Sequence, residues 1–155
     1  MAGELVQTPQ TLWKHGSFES VNLKGRFILV ADVTNGAGES RYSALRIPGA
    51  AGGYQVTVGK TLYLTHLRHS GLSAPAAYLL FAATADAGSN QIAAPAGIVS
   101  HNSRTDGVPG ALVVAASSVV AEFDLYASFA AGDYLGVRNM TASSTLYVLI
   151  VCHEE

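Results

Sequence analysis

Five histidines are spread over the chain, and His66 and His69 form the only close pair. On a β-strand an offset of three residues places two side chains on opposite faces, because side chains alternate with a period of two. These two rings therefore cannot bind one ion together. A metal site normally needs three or four converging ligands, so we expect a metal here only if a distant ligand joins one of the rings.

Two carboxylates, Glu122 and Asp124, stand two residues apart in a segment with β-strand alternation. Side chains at this spacing share one strand face, so the pair could approach the separation that retaining glycosidases use. The same spacing also occurs on an ordinary solvated strand, and the sequence has no aromatic cluster to form a sugar cleft. A carboxylate-pair hydrolase is kept as an alternative, in which Glu122→Gln would abolish a measured activity.

The most polar loop of the chain contains His101, Asn102, Ser103, Arg104 and Asp106. These include the residue types of a Ser-His-Asp triad, but a triad is defined by its geometry and not by closeness in sequence. We interpret His101, Asn102, Arg104 and Asp106 as an exposed loop that contacts a partner.

Other signatures of catalysis are absent from the sequence. It has no P-loop, no dinucleotide-binding fingerprint and no cysteine pair of the zinc-binding type. Cys152 is the only cysteine, which excludes an internal disulfide, and its apolar neighbours are typical of a core side chain rather than a reactive thiolate. The sequence predicts a protein that is not an enzyme and uses no cofactor or metal.

The composition points to association with other protein surfaces. Charged residues make up 13% of the 155 residues and hydrophobic residues 49%, whereas globular domains average about 25% charged residues. A surface so poor in charge predicts that part of it is buried against other chains. The alternative is a surface built from Ser, Thr, Gly and Ala.

The net charge and the apolar pattern of the sequence indicate which partners and which cellular location to expect. The net charge of -2 and the isoelectric point near 6.2 provide no basic field, so neither nucleic acid nor a membrane surface is an expected partner. No apolar run reaches the roughly 18 residues that span a bilayer, and the first residues lack the pattern of a signal peptide. We therefore expect synthesis in the cytosol without export by that route.

Eight runs of β-branched and aromatic residues follow Gly25, separated by glycine and proline, and predict short strands. The runs are Arg26–Val33, Arg41–Ile47, Tyr54–Val58, Thr61–His69, Ala77–Thr84, Val119–Tyr126, Tyr134–Asn139 and Thr145–His153. The length fits one all-β domain over residues 24–155. An amphipathic helix over residues 111–131 is an open alternative, because the apolar spacing there also fits a helical period.

The last run has two apolar faces. Leu146, Val148, Ile150 and Cys152 alternate with Tyr147, Leu149 and Val151, so both sides of this strand should be covered. A strand of this kind belongs between two layers of helices or between a core and a subunit interface. Because no clear helices are predicted to cover it, we assign Tyr147, Leu149 and Val151 to an interface between copies.

The first residues have no sustained periodicity and are interpreted as an N-terminal arm over residues 1–23. Trp13 and Phe18 stand among polar residues in this arm. They are candidate anchors on a neighbouring subunit, since aromatic side chains bury large areas on contact. Packing of both side chains on their own domain is the alternative.

Two stretches carry a resemblance to a known family. Gly53–Thr65, a tyrosine strand, a glycine-lysine turn and an aromatic-aliphatic strand, resembles small tailed-phage structural proteins. Residues 129–139, the Thr145-Leu146-Tyr147-Val148 strand and the Glu154-Glu155 ending are similar to the closing strands of a tumour-necrosis-factor-like jelly roll. The resemblance spans roughly residues 53–155 and contains no catalytic signature.

The resemblance implies an antiparallel jelly-roll β-sandwich of about eight strands that forms a homotrimer in a virion. The expected role is a capsid decoration (cement) protein, which binds the major capsid protein on the outside of a phage capsid and stabilises the shell. The alternative role is a receptor- or carbohydrate-binding head domain of a phage tail fibre.

Overall fold

A computed structural model describes residues 25–71, 76–98, 112–115 and 121–155. Within these ranges the chain is all β and contains no helix. The strands are β1 (Arg26–Thr34), β2 (Arg41–Ala44), β3 (Leu62–Ser70), β4 (Ala76–Ala83), β5 (Leu112–Ala115), β6 (Ala121–Phe129), β7 (Tyr134–Asn139) and β8 (Thr145–Glu154). The predicted all-β class is therefore confirmed, and the helix considered for residues 111–131 is excluded where that segment is described.

Seven of the eight predicted runs overlap these strands, and one does not. The segment Tyr54–Val58 makes only a single bridge, between Gln55 and Tyr134. Its backbone amides instead donate hydrogen bonds to two other segments. The Tyr54 amide donates to the Leu45 carbonyl, and the Val56 amide donates to the Asp133 carbonyl. The segment crosses the end of the sandwich and inserts Val56, which is buried, into the core. Conversely, the short strand β5 was not predicted.

The strands form two four-stranded antiparallel sheets. Sheet I has the order β1-β8-β3-β6, and sheet II has the order β2-β7-β4-β5. Strands β1 and β8, the first and last along the chain, pair over the full length of β1, from Arg26 opposite His153 to Thr34 opposite Thr145. One continuous core lies between the sheets and includes Leu29, Leu67 and Ile150 from sheet I and Leu80 and Val137 from sheet II. The chain is thus a two-layer β arrangement around one core.

Strand β8 has the two apolar faces that its alternation predicts. Leu146, Val148, Ile150 and Cys152 are buried in the core, whereas Tyr147, Leu149 and Val151 point to the other side of sheet I. Cys152 is fully buried, and burial, together with the nearby Glu154 carboxylate, raises the pKa of its thiol to about 12. At neutral pH this thiol is protonated and behaves as a core side chain.

A β-bulge in β3 sets the direction of its histidines. The pairing of β3 with both neighbours shifts between Leu64 and His66, so an extra residue there changes which positions face inward. Leu62 and Leu64 are buried before the bulge, and Leu67 and His69 are buried after it. His66 is left on the outer side. The prediction that His66 and His69 face opposite ways is therefore confirmed.

The outer side of sheet II is covered by the chain itself. The segment after β4 runs back along β2, where the Tyr42 amide bonds to Gln91 and the Ala44 amide bonds to Gly88. Ala87 from this segment packs with Phe81 in a second, smaller apolar cluster. Most residues of this segment are exposed, but its backbone extends the hydrogen bonding at the β2 edge and Ala87 covers part of the outer side of sheet II.

The two sheets are joined at one end by a buried pair of asparagines. The Asn35 amide nitrogen donates to the carbonyls of Asn139 at 3.0 Å and Thr141 at 2.8 Å. The Asn139 amide nitrogen donates to Val33 at 3.2 Å and to the Ser144 hydroxyl at 3.1 Å. These bonds satisfy turn carbonyls that strand pairing does not reach. They fix the turns that follow β1 and β7.

The opposite end is closed by the C-terminus. Glu154 accepts hydrogen bonds from the Tyr54 hydroxyl at 2.5 Å and from the Thr57 amide at 2.8 Å. Burial alone would raise the pKa of Glu154, but these donors outweigh it and hold the pKa below its usual value. Glu154 is therefore ionised at neutral pH and holds the Tyr54–Thr57 segment against sheet I.

Candidate functional site

The outer face of sheet I, the side turned away from the core, is where the predicted interface residues lie. The core-facing residues of β1 alternate with Ile28, Val30 and Asp32, which point outward. On β8 the outward residues are Tyr147, Leu149 and Val151. Register places Ile28 opposite Val151 and Val30 opposite Leu149. These five side chains, Ile28, Val30, Tyr147, Leu149 and Val151, form an apolar stripe two strands wide, which we call the apolar stripe below.

A groove opens over part of the apolar stripe. It has a volume of about 400 Å³ and is lined by Val30 and Asp32 from β1, Arg68 and Ser70 from β3, and Tyr147 and Leu149 from β8, together with the residues between them. Tyr147 is the most exposed side chain of the stripe, at 53%. A groove with apolar walls and a charge on each side suits a protein side chain from another surface.

Pairs of polar and charged side chains border the apolar stripe on both sides. On the β1 side, Arg46 Nη2 lies 3.1 Å from Asp32 Oδ1. On the β6 side, Arg68 Nε lies 3.4 Å from Glu122 Oε1, and His66 Nδ1 lies 3.4 Å from Asp124 Oδ1. Exposed pairs of this kind contribute little to the stability of an isolated chain. They define a polar rim around an apolar centre, which is the usual anatomy of a protein interface.

The two carboxylates that could have suggested a hydrolase belong to this rim. Glu122 and Asp124 are both exposed on β6 and are neighbours of Arg68 and His66 on β3. No group of three or more potential metal-binding side chains was found among the described residues. The same residues include no helix long and apolar enough to cross a membrane. The chemistry visible at this face is that of contact, by apolar surface and ion pairs.

The structure brings together some of the predicted site residues. Tyr147, Leu149 and Val151 share one face, as the alternation of β8 predicts. Trp13 and Phe18, and the loop residues His101, Asn102, Arg104 and Asp106, lie outside the described residues. Their proposed contacts with a capsid or another partner stay predictions.

Sequence reasoning missed two of the five residues of the apolar stripe. Ile28 and Val30 complete it, although they precede Val151 and Leu149 by more than a hundred residues. A signal was present in the unbroken apolar run Phe27–Val30, where Ile28 and Val30 alternate with Leu29 and repeat the two-faced pattern of β8. What the sequence could not show is that these two strands are neighbours.

Searches against protein-family models, curated proteins and solved structures found no match to this chain.

Proposed function

We propose that this chain is a viral structural protein that forms a homotrimer through the outer face of sheet I and decorates the outside of a phage capsid. The observation that carries self-association is the apolar stripe of Ile28, Val30, Tyr147, Leu149 and Val151 on a face turned away from the core. Contiguous apolar surface bordered by polar residues marks sites of protein contact. An apolar face repeated by rotation closes most simply into a ring.

The strand order supports the jelly-roll form of the sandwich. Counted along the chain, sheet I takes the first, eighth, third and sixth described strands, and sheet II takes the second, seventh, fourth and fifth. Eight antiparallel strands divided between two sheets in this order are typical of a jelly roll built from two Greek keys. This arrangement agrees with the family that residues 53–155 resemble.

The capsid is proposed as the partner on the basis of that resemblance together with the low charge. The assembled trimer would bind the major capsid protein, and Trp13 and Phe18 would serve as anchors on the shell. Three anchored arms on one trimer multiply their effect, because each binding event after the first is intramolecular. Binding of this kind stabilises a shell by bridging its subunits.

The oligomeric state gives the first test. Light scattering of the purified chain should report a mass near three times 16.1 kDa, because three apolar stripes around one axis cover each other. The measurement should be repeated over a range of concentrations. A single species of 16.1 kDa at micromolar concentration contradicts the proposal.

Co-sedimentation with undecorated capsids of the virus that encodes the chain tests the partner. We expect the full chain to pellet with the capsids and a chain lacking residues 1–23 to bind at least tenfold more weakly, because each buried aromatic anchor contributes about 1.5–3 kcal/mol. Thermal melting of the truncated chain is the control. A folded chain that does not bind capsids but binds selectively on a glycan array would instead support the alternative role as a tail-fibre head domain.

A further inference from the structure

One row of paired residues crosses the whole outer face of sheet I. Register places Arg46 beside Val30, Val30 opposite Leu149, Leu149 opposite Arg68 and Arg68 opposite Glu122. The row therefore begins at Arg46, passes over two apolar side chains and a second cation, Arg68, and ends at the carboxylate of Glu122. Its two ends stand about 19 Å apart, as four strand spacings of ~4.8 Å require.

The apolar stripe is too small to hold copies together by itself. Two strands wide and about 14 Å long from Tyr147 to Val151, it covers roughly 130 Å², whereas a stable interface buries about 800 Å² on each partner. The charged flanks on either side must therefore be part of any stable contact made by this face.

Rotational symmetry decides which flanks meet. Rotation about an axis parallel to β8 does not move a residue along the strand direction. In a closed ring, the β1 side of the outer face in each copy therefore meets the β6 side of the same face in the next copy. The two ends of the row then meet at one level. We propose that Arg46 of one copy pairs with Glu122 of its neighbour and that three such contacts close the trimer.

The charges beside these two residues fit the same contact. Within one copy Arg46 binds Asp32 through Nη2, and its partly exposed guanidinium has further N–H donors that a neighbouring carboxylate could use. Glu122 approaches the Arg68 guanidinium through Oε1, and its second carboxylate oxygen can accept a further bond. Across the contact the signs alternate, from Asp32 to Arg46 and then to Glu122 and Arg68 of the next copy. Alternating charges of this kind select the partner and its register.

The neighbouring row on the same face, two residues away along β1, provides an internal comparison. It runs from Ile28 through Val151 and His66 to Asp124. Asp124 lies on the same strand as Glu122 and is also exposed, but the opposite end of its row is uncharged. The inference therefore assigns an intersubunit role to Glu122 and none to Asp124.

The inference rests on the proposed self-association, and a cross-linking experiment separates the two. The variant carrying Arg46→Cys and Glu122→Cys is treated with a short bismaleimide and resolved on a denaturing gel. The reagent is too short to link the two positions within one chain, because they are about 19 Å apart. It does not react with the native Cys152, because that thiol is fully buried. We expect covalent dimers and a covalent trimer as the largest product, and no linkage in either single-cysteine variant.

Charge reversal gives the second arm of the test. Glu122→Arg should weaken the trimer about tenfold at each of its contacts, and Asp124→Arg should leave association unchanged. Adding Arg46→Glu should restore part of the loss, because each reversed residue stands beside a like charge, Asp32 or Arg68, in its own copy. A trimer that forms without 46–122 linkage, or equal effects at Glu122 and Asp124, would overturn the inference and leave the trimer standing. Linkage that stops at the dimer would overturn the threefold closure itself. A wild-type chain that is monomeric throughout would overturn the proposed function first.

Discussion

Replacing Leu149 by aspartate is expected to convert the trimer into monomers that remain folded. Leu149 lies at the centre of the apolar stripe, between Val30 and Arg68 on the neighbouring strands. In the assembled state the aspartate would lose the burial of a leucine, about 2–3 kcal/mol for each copy, and would place a carboxylate in a desolvated contact. In the monomer the same carboxylate faces water next to a cation.

The measurement is light scattering together with thermal melting of the same samples. Tyr147→Asp should act in the same direction, since Tyr147 is the most exposed member of the stripe. We expect an association constant lower by at least a hundredfold and a melting temperature of the variant close to that of dilute wild-type chain.

Two control variants limit the interpretation of that result. Ile150→Asp changes the adjacent residue, which is fully buried on the inner side of β8, and should prevent folding because it buries an unpaired charge. Val58→Asp changes the most exposed of the large apolar side chains, in the turn after Thr57, and should alter neither property. An unchanged trimer from both Leu149→Asp and Tyr147→Asp would place the interface on another surface.

Asn139→Ala is expected to cause the largest loss of stability of any single polar substitution in the described residues. The Asn139 side chain is fully buried, donates to Val33 and Ser144, and accepts a hydrogen bond from the Thr141 amide at 3.0 Å. Each buried group left without its partner costs about 1–3 kcal/mol. We therefore expect the free energy of unfolding to fall by about 3–5 kcal/mol, a large share of the usual total for a domain of this size.

Urea denaturation of the wild type and the variant at equal concentration measures this loss. Gln55→Ala is the matched control, because Gln55 also donates an amide hydrogen bond, to Gly132 at 3.0 Å, but from an exposed position. That variant should lose less than about 1 kcal/mol. Equal losses in the two variants would mean that burial does not strengthen the asparagine network.

Local alternation in the sequence was sufficient to locate most strands. The bounds of β7, Tyr134–Asn139, agree with the prediction, and β8 differs from it by one residue. The two faces of β8, the core position of Cys152 and the opposite directions of His66 and His69 follow from the same period of two. Each of these features depends on neighbours along the chain, which a sequence displays directly.

Other features depend on which distant residues a segment contacts in the folded chain. Tyr54–Val58 has the composition of a strand, yet its amides bond to Leu45 and Asp133 because it crosses the end of the sandwich. The cover that residues 84–98 place over sheet II likewise depends on the β2 edge, with which it shares hydrogen bonds. Composition indicates that such segments adopt extended or turn conformations, but it does not identify the residues with which they form hydrogen bonds.

The sequence by itself determined that the chain is all β, where most strands lie and which side chains of β8 point away from the core. Only the tertiary structure decided that β1 is the neighbour of β8, which doubles the width of the apolar stripe, and that Arg46 and Glu122 stand at opposite ends of one row. The reason is physical: the direction of a side chain on a strand is set by backbone geometry within a few residues. The identity of the neighbouring strand is set by the packing of segments more than a hundred residues apart, which no local period encodes.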